Sequence, residues 1–560
     1  MQGKLDRNTG WKWAIAAAAT FFTLTLILTL NRHLTLYSDY DQGIFNQVFW
    51  NNWHGRFFQS SLSSQLSTNV AHSGEAPEVF YRRLGQHFTP ALLIWWPIYA
   101  LFPNPATLTV LQVTLVTAAG LVLFALARHY LEPAVSVAIA ISYYCANTVL
   151  GPTLANFHDI CQLPLYIFGI LLAMEKRWWW LFALLCCCTV AVREDSGVAL
   201  FGVGVYMLAS RRFPRIGLAV CLGSFAYVVL VTSQIMPMFS DDVSKRFLQE
   251  RFGQYLTFLG DRIDEATIFD VMYGVLRQPW NFVSEIFSPI ETSLLYFLGQ
   301  ALPLALIPVI APGSWLVAGP PLLQILAAKG AVFSLNIRYA MTVVPGMFYG
   351  AILWWSGRGF KRFWQPEDKL ERRSLKPKFR RWWTFCIVVS ALVCVGFNPN
   401  RTLSFLLPDS YSPRVYLSWP ENVSHSRDVY TVLSDIPPDA TVSATTNLIP
   451  HLSGRRALVR FPQGVKVTND DLETVSVDYA VADLWRANRF QVAFSKDREI
   501  LERGIPFINE LLESEEYGLV RFDKGITLLQ LDAESDPEAI AAWQEYYPVV
   551  LEAVEAAAER

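Results

Sequence analysis

Long apolar runs dominate this chain and constrain its fold more than any other feature. One run, AIAAAATFFTLTLILTL, occupies roughly 14–30 near the amino terminus. Ten more follow at roughly 106–127, 134–150, 160–174, 178–192, 197–210, 216–236, 293–311, 314–329, 339–356 and 383–398. A helix of about 20 apolar residues crosses a hydrocarbon core about 30 Å thick. The runs therefore predict a polytopic α-helical membrane protein with about eleven transmembrane helices, several of them short. No small-residue cleavage site follows the first run, which reads as an uncleaved membrane helix and not a signal peptide. The stretch 89–103 (TPALLIWWPIYALFP) is apolar but short and bracketed by prolines, so it is read as an interfacial or half-inserted helix.

Charge divides the chain in two. Only 17 % of the 560 residues are charged, against about 25 % in ordinary soluble domains. Residues 399–560 hold 15 Lys/Arg and 26 Asp/Glu, a net of −11, whereas residues 1–398 carry a net of +9. A basic apolar body with an acidic polar tail excludes a soluble single-domain enzyme, a disordered chain and a nucleic-acid binder with a global basic field. All eight cysteines lie in apolar runs with no CxxC spacing, so they read as small apolar residues and not as a disulfide framework or metal site.

Lys/Arg-rich short loops mark the cytoplasmic side. The loop 357–382 carries ten Lys/Arg against three acids. Arg211, Arg212 and Arg215, Lys176 with Arg177, Arg128 with His129, and Lys4, Arg7 and Lys12 form four further basic segments. With a cytoplasmic amino terminus and eleven spans, all five fall on one side. The polar segments 31–105, 151–159, 193–196, 237–292 and 330–338 then face outward, together with the carboxy-terminal domain 399–560. Within that domain, ATVSAT (440–445), DYAVAD (478–483) and ITLLQLD (526–532) read as strands and 500–514 as a helix, predicting a small extracytoplasmic α/β domain. The last helix, about 536–560, is acidic and Ala-rich and reads as solvated.

None of the residues argued below as candidates for chemistry falls on the cytoplasmic side. Asp39 and Asp41 follow the first span, where a carboxylate can deprotonate an acceptor or hold a divalent cation (Mg or Mn) against a phosphate; the alternative is a solvated loop start. Gln86 and His87 precede the interfacial helix, and histidine can bind metal, donate to phosphate or shuttle a proton. This makes Asp41 and His87 the candidate metal ligands. His158 and Asp159 lie in a turn between spans. Adjacent residues do not face each other on a helix, so they suit separate roles better than a dyad; otherwise Asp159 is a helix N-cap. Arg193, Glu194 and Asp195 are three consecutive charges at a membrane boundary, either a phosphate clamp or a self-neutralising turn. Arg338 and Tyr339 open the tenth span, where Arg338 either holds a phosphate or snorkels. The loop 237–292, with Lys245, Arg246, Phe247, Arg251, Phe252, Tyr255 and Phe258, suggests an amphipathic helix on the outer leaflet.

The order SDYDQGIFNQVFWNNWHGRFF, GQHFTPALLIWWPIYALFPNPATLTVLQ, NFHDICQLPLY, VREDSGVAL, RYAMTVVP resembles the membrane family called domain of unknown function 2079. The tail IPPDATVSATTNLIPHLSGRRALVRFP resembles the end of the same family. That family in turn resembles the C-type glycosyltransferase (GT-C) fold, which includes protein O-mannosyltransferases and the aminoarabinose transferases of lipid A. The resemblance implies transfer of a sugar from a polyprenyl-phosphate carrier on the outer membrane face to an envelope acceptor. An acidic residue after the first span, here Asp39 or Asp41, would act as base or metal ligand, and Arg193 and Arg338 would hold the carrier phosphate. The two aspartates here are separated by Tyr40, unlike the adjacent acidic pair of several such transferases. A transporter or flippase calls for charges deep in the spans and repeat symmetry, and neither is visible; a non-catalytic scaffold or sensor is the other alternative. An uncleaved polytopic chain without disulfides suits a bacterial inner membrane.

Overall fold

The computed structural model describes residues 7–240, 249, 252–328, 333–365, 370–397 and 400–558. Lys4, Lys245, Arg246, Phe247 and Arg251, and the start of the 330–338 turn, lie outside them. The chain forms two compact units, each discontinuous in sequence.

The first unit comprises the chain up to Ile27, Leu84–Trp95 and Thr109–Asn400, and it is helical. Among the described residues of the whole chain, four helices are long and apolar enough to cross a membrane: Asn8–Leu34, Pro105–Tyr130, Pro214–Met238 and Pro377–Phe397. Pro133–Tyr144 and Asn147–Thr153 make a fifth if taken as one span bent by 45°. At that bend the amide of Asn147 donates to Ser390 Oγ at 3.0 Å, which replaces a broken helical hydrogen bond. The expectation of eleven spans is therefore met only in part. The remaining apolar runs form helices of 12–17 residues, or about 18–25 Å at 1.5 Å per residue. The run 293–311 is broken where Ala305 and Leu306 adopt left-handed conformations (φ 55° and 65°). The proline-bracketed stretch contains one ten-residue helix, Leu92–Leu101.

Close packing joins Pro312–Ala328 to Val344–Trp355. A Cβ on Gly346 would lie 2.4 Å from the Ala318 amide, and one on Gly350 2.2 Å from that of Ser314. Ser314-xxx-Ala318 thus faces Gly346-xxx-Gly350, the small-residue pattern by which helix backbones approach in lipid.

The second unit comprises Leu28–Arg83, Trp96–Leu108 and the chain from Arg401 on. Its mixed sheet contains β1 (Val442–Ala444), β2 (Leu458–Arg460), β3 (Tyr479–Asp483), β4 (Tyr517–Asp523) and β5 (Ile526–Leu531). Their order is β2-β1-β3-β5-β4, with β2, β1 and β3 parallel and β5 antiparallel to both β3 and β4. The three expected strands and the helix (Ser495–Glu513) are present, and β2 and β4 are additions. The last helix, Pro537–Ala558, is not simply solvated: it buries Ala539, Trp543, Val550 and Val554 along one face. Residues 31–83, expected as an outer loop of the membrane body, are built into this unit. Leu36, Ile44 and Leu62 share a core with Val429, Val442 and Leu458. Gln47 Nε2 donates to Ser61 Oγ (3.0 Å) and to the Arg455 carbonyl (3.2 Å).

This unit carries a built-in acid sensitivity. The buried Asp483 accepts from Asn447 Nδ2 (2.8 Å) and pairs with His425 (3.0 Å). Burial opposes its charge, but His425 and Arg486 hold its pKa below the ordinary carboxylate value. His451 stacks on His33 (ring centroids 4.5 Å apart), and burial, His33 and Arg486 hold its pKa well below the usual value. Both folded pKa values are depressed, so both contributions are present above the unfolded values and are lost as pH falls. The His451 contribution fades first, below about pH 6.5, and that of Asp483 below about pH 4. Thermal unfolding of the full chain is expected to occur roughly 3–6 °C lower at pH 5 than at pH 7. His451→Phe, which keeps the stacked ring without a titrating nitrogen, should flatten that difference; an unchanged slope would remove His451 as its source.

Candidate functional site

Four loops meet at one end of the helical unit. The first precedes Leu92–Leu101 and carries Gln86, which is buried, and His87. The second carries His158 and Asp159 at the start of a short 3-10 turn, Asp159–Gln162, that leads into Leu163–Lys176. The third, Arg193-Glu194-Asp195, joins Trp179–Val190 to Ser196–Ala209. The fourth begins with Arg338 and Tyr339 in a 3-10 turn ahead of Val344–Trp355.

Glu194 is the hub. Its Oε1 accepts from His87 Nδ1 (2.8 Å) and from Arg193 Nε (3.3 Å), and its Oε2 accepts from the Phe88 amide (3.0 Å). With Nδ1 as donor, the His87 ring is fixed in orientation. Arg193 also pairs through Nε with Asp195 (3.3 Å), and its side chain is only 1 % exposed. Its guanidinium lies 5.1 Å from the Tyr339 ring centroid, and that of Arg338 lies 5.4 Å from the same centroid. Burial alone would weaken Arg193's hold on its proton, but Asp195, Tyr339, Glu194 and Asp159 more than offset it, so the group stays charged.

The buried polar atoms of this cluster that have no hydrogen-bond partner among the described residues include a donor, Arg193 Nη2, and an acceptor, Asp159 Oδ2. Asp159 Oδ1 is occupied by the amide of Ile160 (2.9 Å). A buried polar atom without a partner costs about 1–3 kcal/mol, and a ligand that accepts at one point and donates at another would recover both.

Two residues that support the site were not picked out from the sequence. Gln112, in the apolar helix Pro105–Tyr130, accepts from the His158 amide (3.0 Å) and donates to the Thr153 carbonyl (3.2 Å), fixing the second loop. Gln162 Oε1 accepts from Trp95 Nε1 (2.5 Å), tying the second loop to the helix after His87. A glutamine inside an apolar run was the available signal.

Asp39 and Asp41 belong to the second unit. The expected loop is a helix start: Asp39 is the exposed N-cap of Tyr40–Trp53, without a side-chain capping bond, and Asp41 lies half-buried in its first turn. Negative charge there suits the helix dipole. Tyr40, between them, donates to the Leu62 carbonyl (2.6 Å). Among the described residues, no three His, Cys, Asp or Glu side chains converge as a metal-ligand set, and His87 Nδ1 is engaged by Glu194.

The basic turns gather elsewhere. Arg212 holds the buried Glu175 through two hydrogen bonds (2.7 and 2.8 Å), and Tyr349 donates to the same carboxylate (2.6 Å). Arg212 also donates to Tyr130 (3.0 Å), next to Arg128 and His129, and Trp364 of the 357–382 loop donates to the Ala209 carbonyl (2.8 Å). Leu163–Lys176 and Ser196–Ala209 each run from the Arg193 cluster to this one, so the two clusters lie at opposite helix ends, about 20 Å apart.

The sequence pattern of the DUF2079 predicted membrane proteins matches residues 32–528. The chain belongs to this DUF2079 family. No curated protein matches it significantly. Among solved structures it is similar to a crystal structure of ArnT from Cupriavidus metallidurans bound to undecaprenyl phosphate. The two are 11 % identical over 93 % of this chain and 99 % of that one, with a TM-score of 0.46.

Proposed function

We propose that this DUF2079 protein is an integral-membrane glycosyltransferase of GT-C type, moving a sugar from a polyprenyl-phosphate carrier to an envelope acceptor. The observation that carries the reading is the pairing of an unmatched buried donor, Arg193 Nη2, with an unmatched buried acceptor, Asp159 Oδ2. A phosphosugar offers both complements: phosphate oxygens to the guanidinium and a sugar hydroxyl to the carboxylate. Arg338 adds a second positive charge beside Tyr339. The three carboxylates Asp159, Glu194 and Asp195 keep the cluster from being a general anion trap and favour a ligand with hydroxyls as well as phosphate.

In the proposed reaction the acceptor oxygen attacks the anomeric carbon with inversion. The new carbon–oxygen bond forms as the bond to the phosphate oxygen breaks, and the acceptor proton passes to a carboxylate base, the role that the family resemblance implies for Asp41 or Asp39. The carrier leaves as polyprenyl phosphate, and Arg193 meets the charge developing on it, an electrostatic contribution of the kind that dominates many transfer reactions. His87, oriented by Glu194, suits a hydrogen bond to the phosphate or a hydroxyl. In this reading the protein sits in a bacterial inner membrane with the amino terminus cytoplasmic and the sheet unit outside.

The test is envelope glycan mass spectrometry on a deletion strain complemented with wild type or with the Asp39→Asn/Asp41→Asn double variant. One glycan is expected to lose a sugar on deletion, to regain it with wild type and not with the variant. Unchanged glycans would favour a scaffold or transporter. A divalent cation on Asp41 or His87 remains part of the proposal, and a chelator tests it: loss of transfer in treated membranes supports the cation, and full transfer removes it.

A further inference from the structure

Two short helices of the 237–292 segment present an apolar stripe that stays exposed among the described residues. Thr267 starts the first, Ile268–Arg277, by a capping box: its amide and hydroxyl both donate to Asp270 Oδ2 (2.8 and 2.6 Å). From there Phe269, Met272, Tyr273 and Leu276 fall at i, i+3, i+4 and i+7, one helical face. All four are exposed, Leu276 to 76 %. The second helix, Pro279–Ile286, continues the row with Trp280, which is 81 % exposed.

The opposite side of the pair is fastened down. Val271 packs with Leu256 and Ala266. A Cβ on Gly274 would lie 2.0 Å from the Tyr255 carbonyl oxygen, so helix and loop are in backbone contact. Tyr255 also donates to Glu285 Oε2 at 2.7 Å. The stripe is therefore held outward by its own supports.

We propose that this helix pair is an interfacial foot, lying in the headgroup layer with the Phe269–Trp280 stripe against lipid acyl chains. Continuity identifies the occupant. The segment follows Pro214–Met238, a helix long and apolar enough to span and only 22 % buried, so its surroundings are lipid in any membrane that holds this family. The stripe runs on into the exposed Leu294 and Leu295. Its composition is that of a membrane interface, with Phe, Tyr and Trp alongside aliphatic residues. The exposed Arg262 and Arg277 flank it, suited to lipid phosphates. A lid closing over a soluble ligand would leave the same side chains in water.

Photo-crosslinking of the full chain in vesicles of phosphatidylethanolamine and phosphatidylglycerol tests this. Benzoylphenylalanine placed at Met272, Leu276 or Trp280 is expected to yield lipid adducts, visible as a phospholipid mass added to the labelled peptide. The probe at Asn281, on the exposed polar side, is expected to give at least tenfold fewer. Crosslinks to a second copy at the three stripe positions would reassign the face to self-association. Equal lipid labelling at Asn281, or none at the stripe, would overturn the interfacial foot. All four positions are exposed, so the probe does not disturb the core.

Discussion

Arg193→Lys is expected to lower sugar transfer by about 10²–10³-fold while leaving the chain folded. Lysine keeps one positive charge, so Glu194 and Asp195 retain a cation near them. It loses the planar fork that lets Nε serve the two carboxylates while Nη2 remains directed elsewhere. In the wild type Nε is 3.3 Å from both carboxylates and Nη2 is buried without a partner; a single ammonium cannot do both. Arg193→Ala is the less informative variant. It strands two acids beside a buried cavity, and breaking a buried pair costs about 3–5 kcal/mol, a figure to be reduced here because Glu194 and Asp195 are 12 % and 20 % exposed. Thermal unfolding and transfer measured together separate the two effects. Wild-type transfer in a stably folded Arg193→Lys protein would end the assignment of Arg193 to the carrier phosphate. Asp159→Asn provides the complementary arm, exchanging part of a charged acceptor for a donor with almost no change of shape.

Much of this arrangement was legible as segments and little of it as geometry. The motifs around His87, Asp159, Arg193 and Tyr339 stood out because charges beside apolar runs are costly. Their meeting depends on helix lengths and crossings that no local pattern contains. His87 and Glu194 are 107 residues apart, and only the antiparallel return of intervening helices joins them. The span count is met only in part for a related reason: hydropathy registers apolar content but not backbone breaks such as Ala305–Leu306. The segment 31–83 was misread because its buried groups are polar. Gln42, Asn46, Gln47 and Asn51 are all at most 1 % exposed, and a helix carrying four such residues looks solvated until its hydrogen-bond partners are known. The acidic last helix misled similarly, although Ala539, Trp543, Val550 and Val554 share one helical face in the sequence itself.

Gly350→Ala is expected to destabilise the helical unit by roughly 1–3 kcal/mol, the usual cost of overpacking a tight contact, and to reduce transfer with it. The added Cβ would sit 2.0 Å from Ser314 Oγ and 2.2 Å from the Ser314 amide nitrogen. A side-chain oxygen can rotate away, but a backbone nitrogen cannot, so the helices must separate by about 1 Å or more to restore ordinary van der Waals contact. That separation propagates because Val344–Trp355 follows directly on the turn carrying Arg338 and Tyr339. It also carries Tyr349, whose hydroxyl donates to Glu175 at the other end. One methyl group thus strains both polar clusters. Ser314→Gly in the same chain removes the oxygen but not the nitrogen, so the double variant should recover only part of the lost unfolding temperature. Complete recovery would show that the hydroxyl alone sets the spacing of the two helices. No loss in Gly350→Ala itself would mean that the Gly346/Gly350 face does not pack against Ser314 and Ala318 as described, and Tyr339 would then lose the support that keeps its ring beside Arg193.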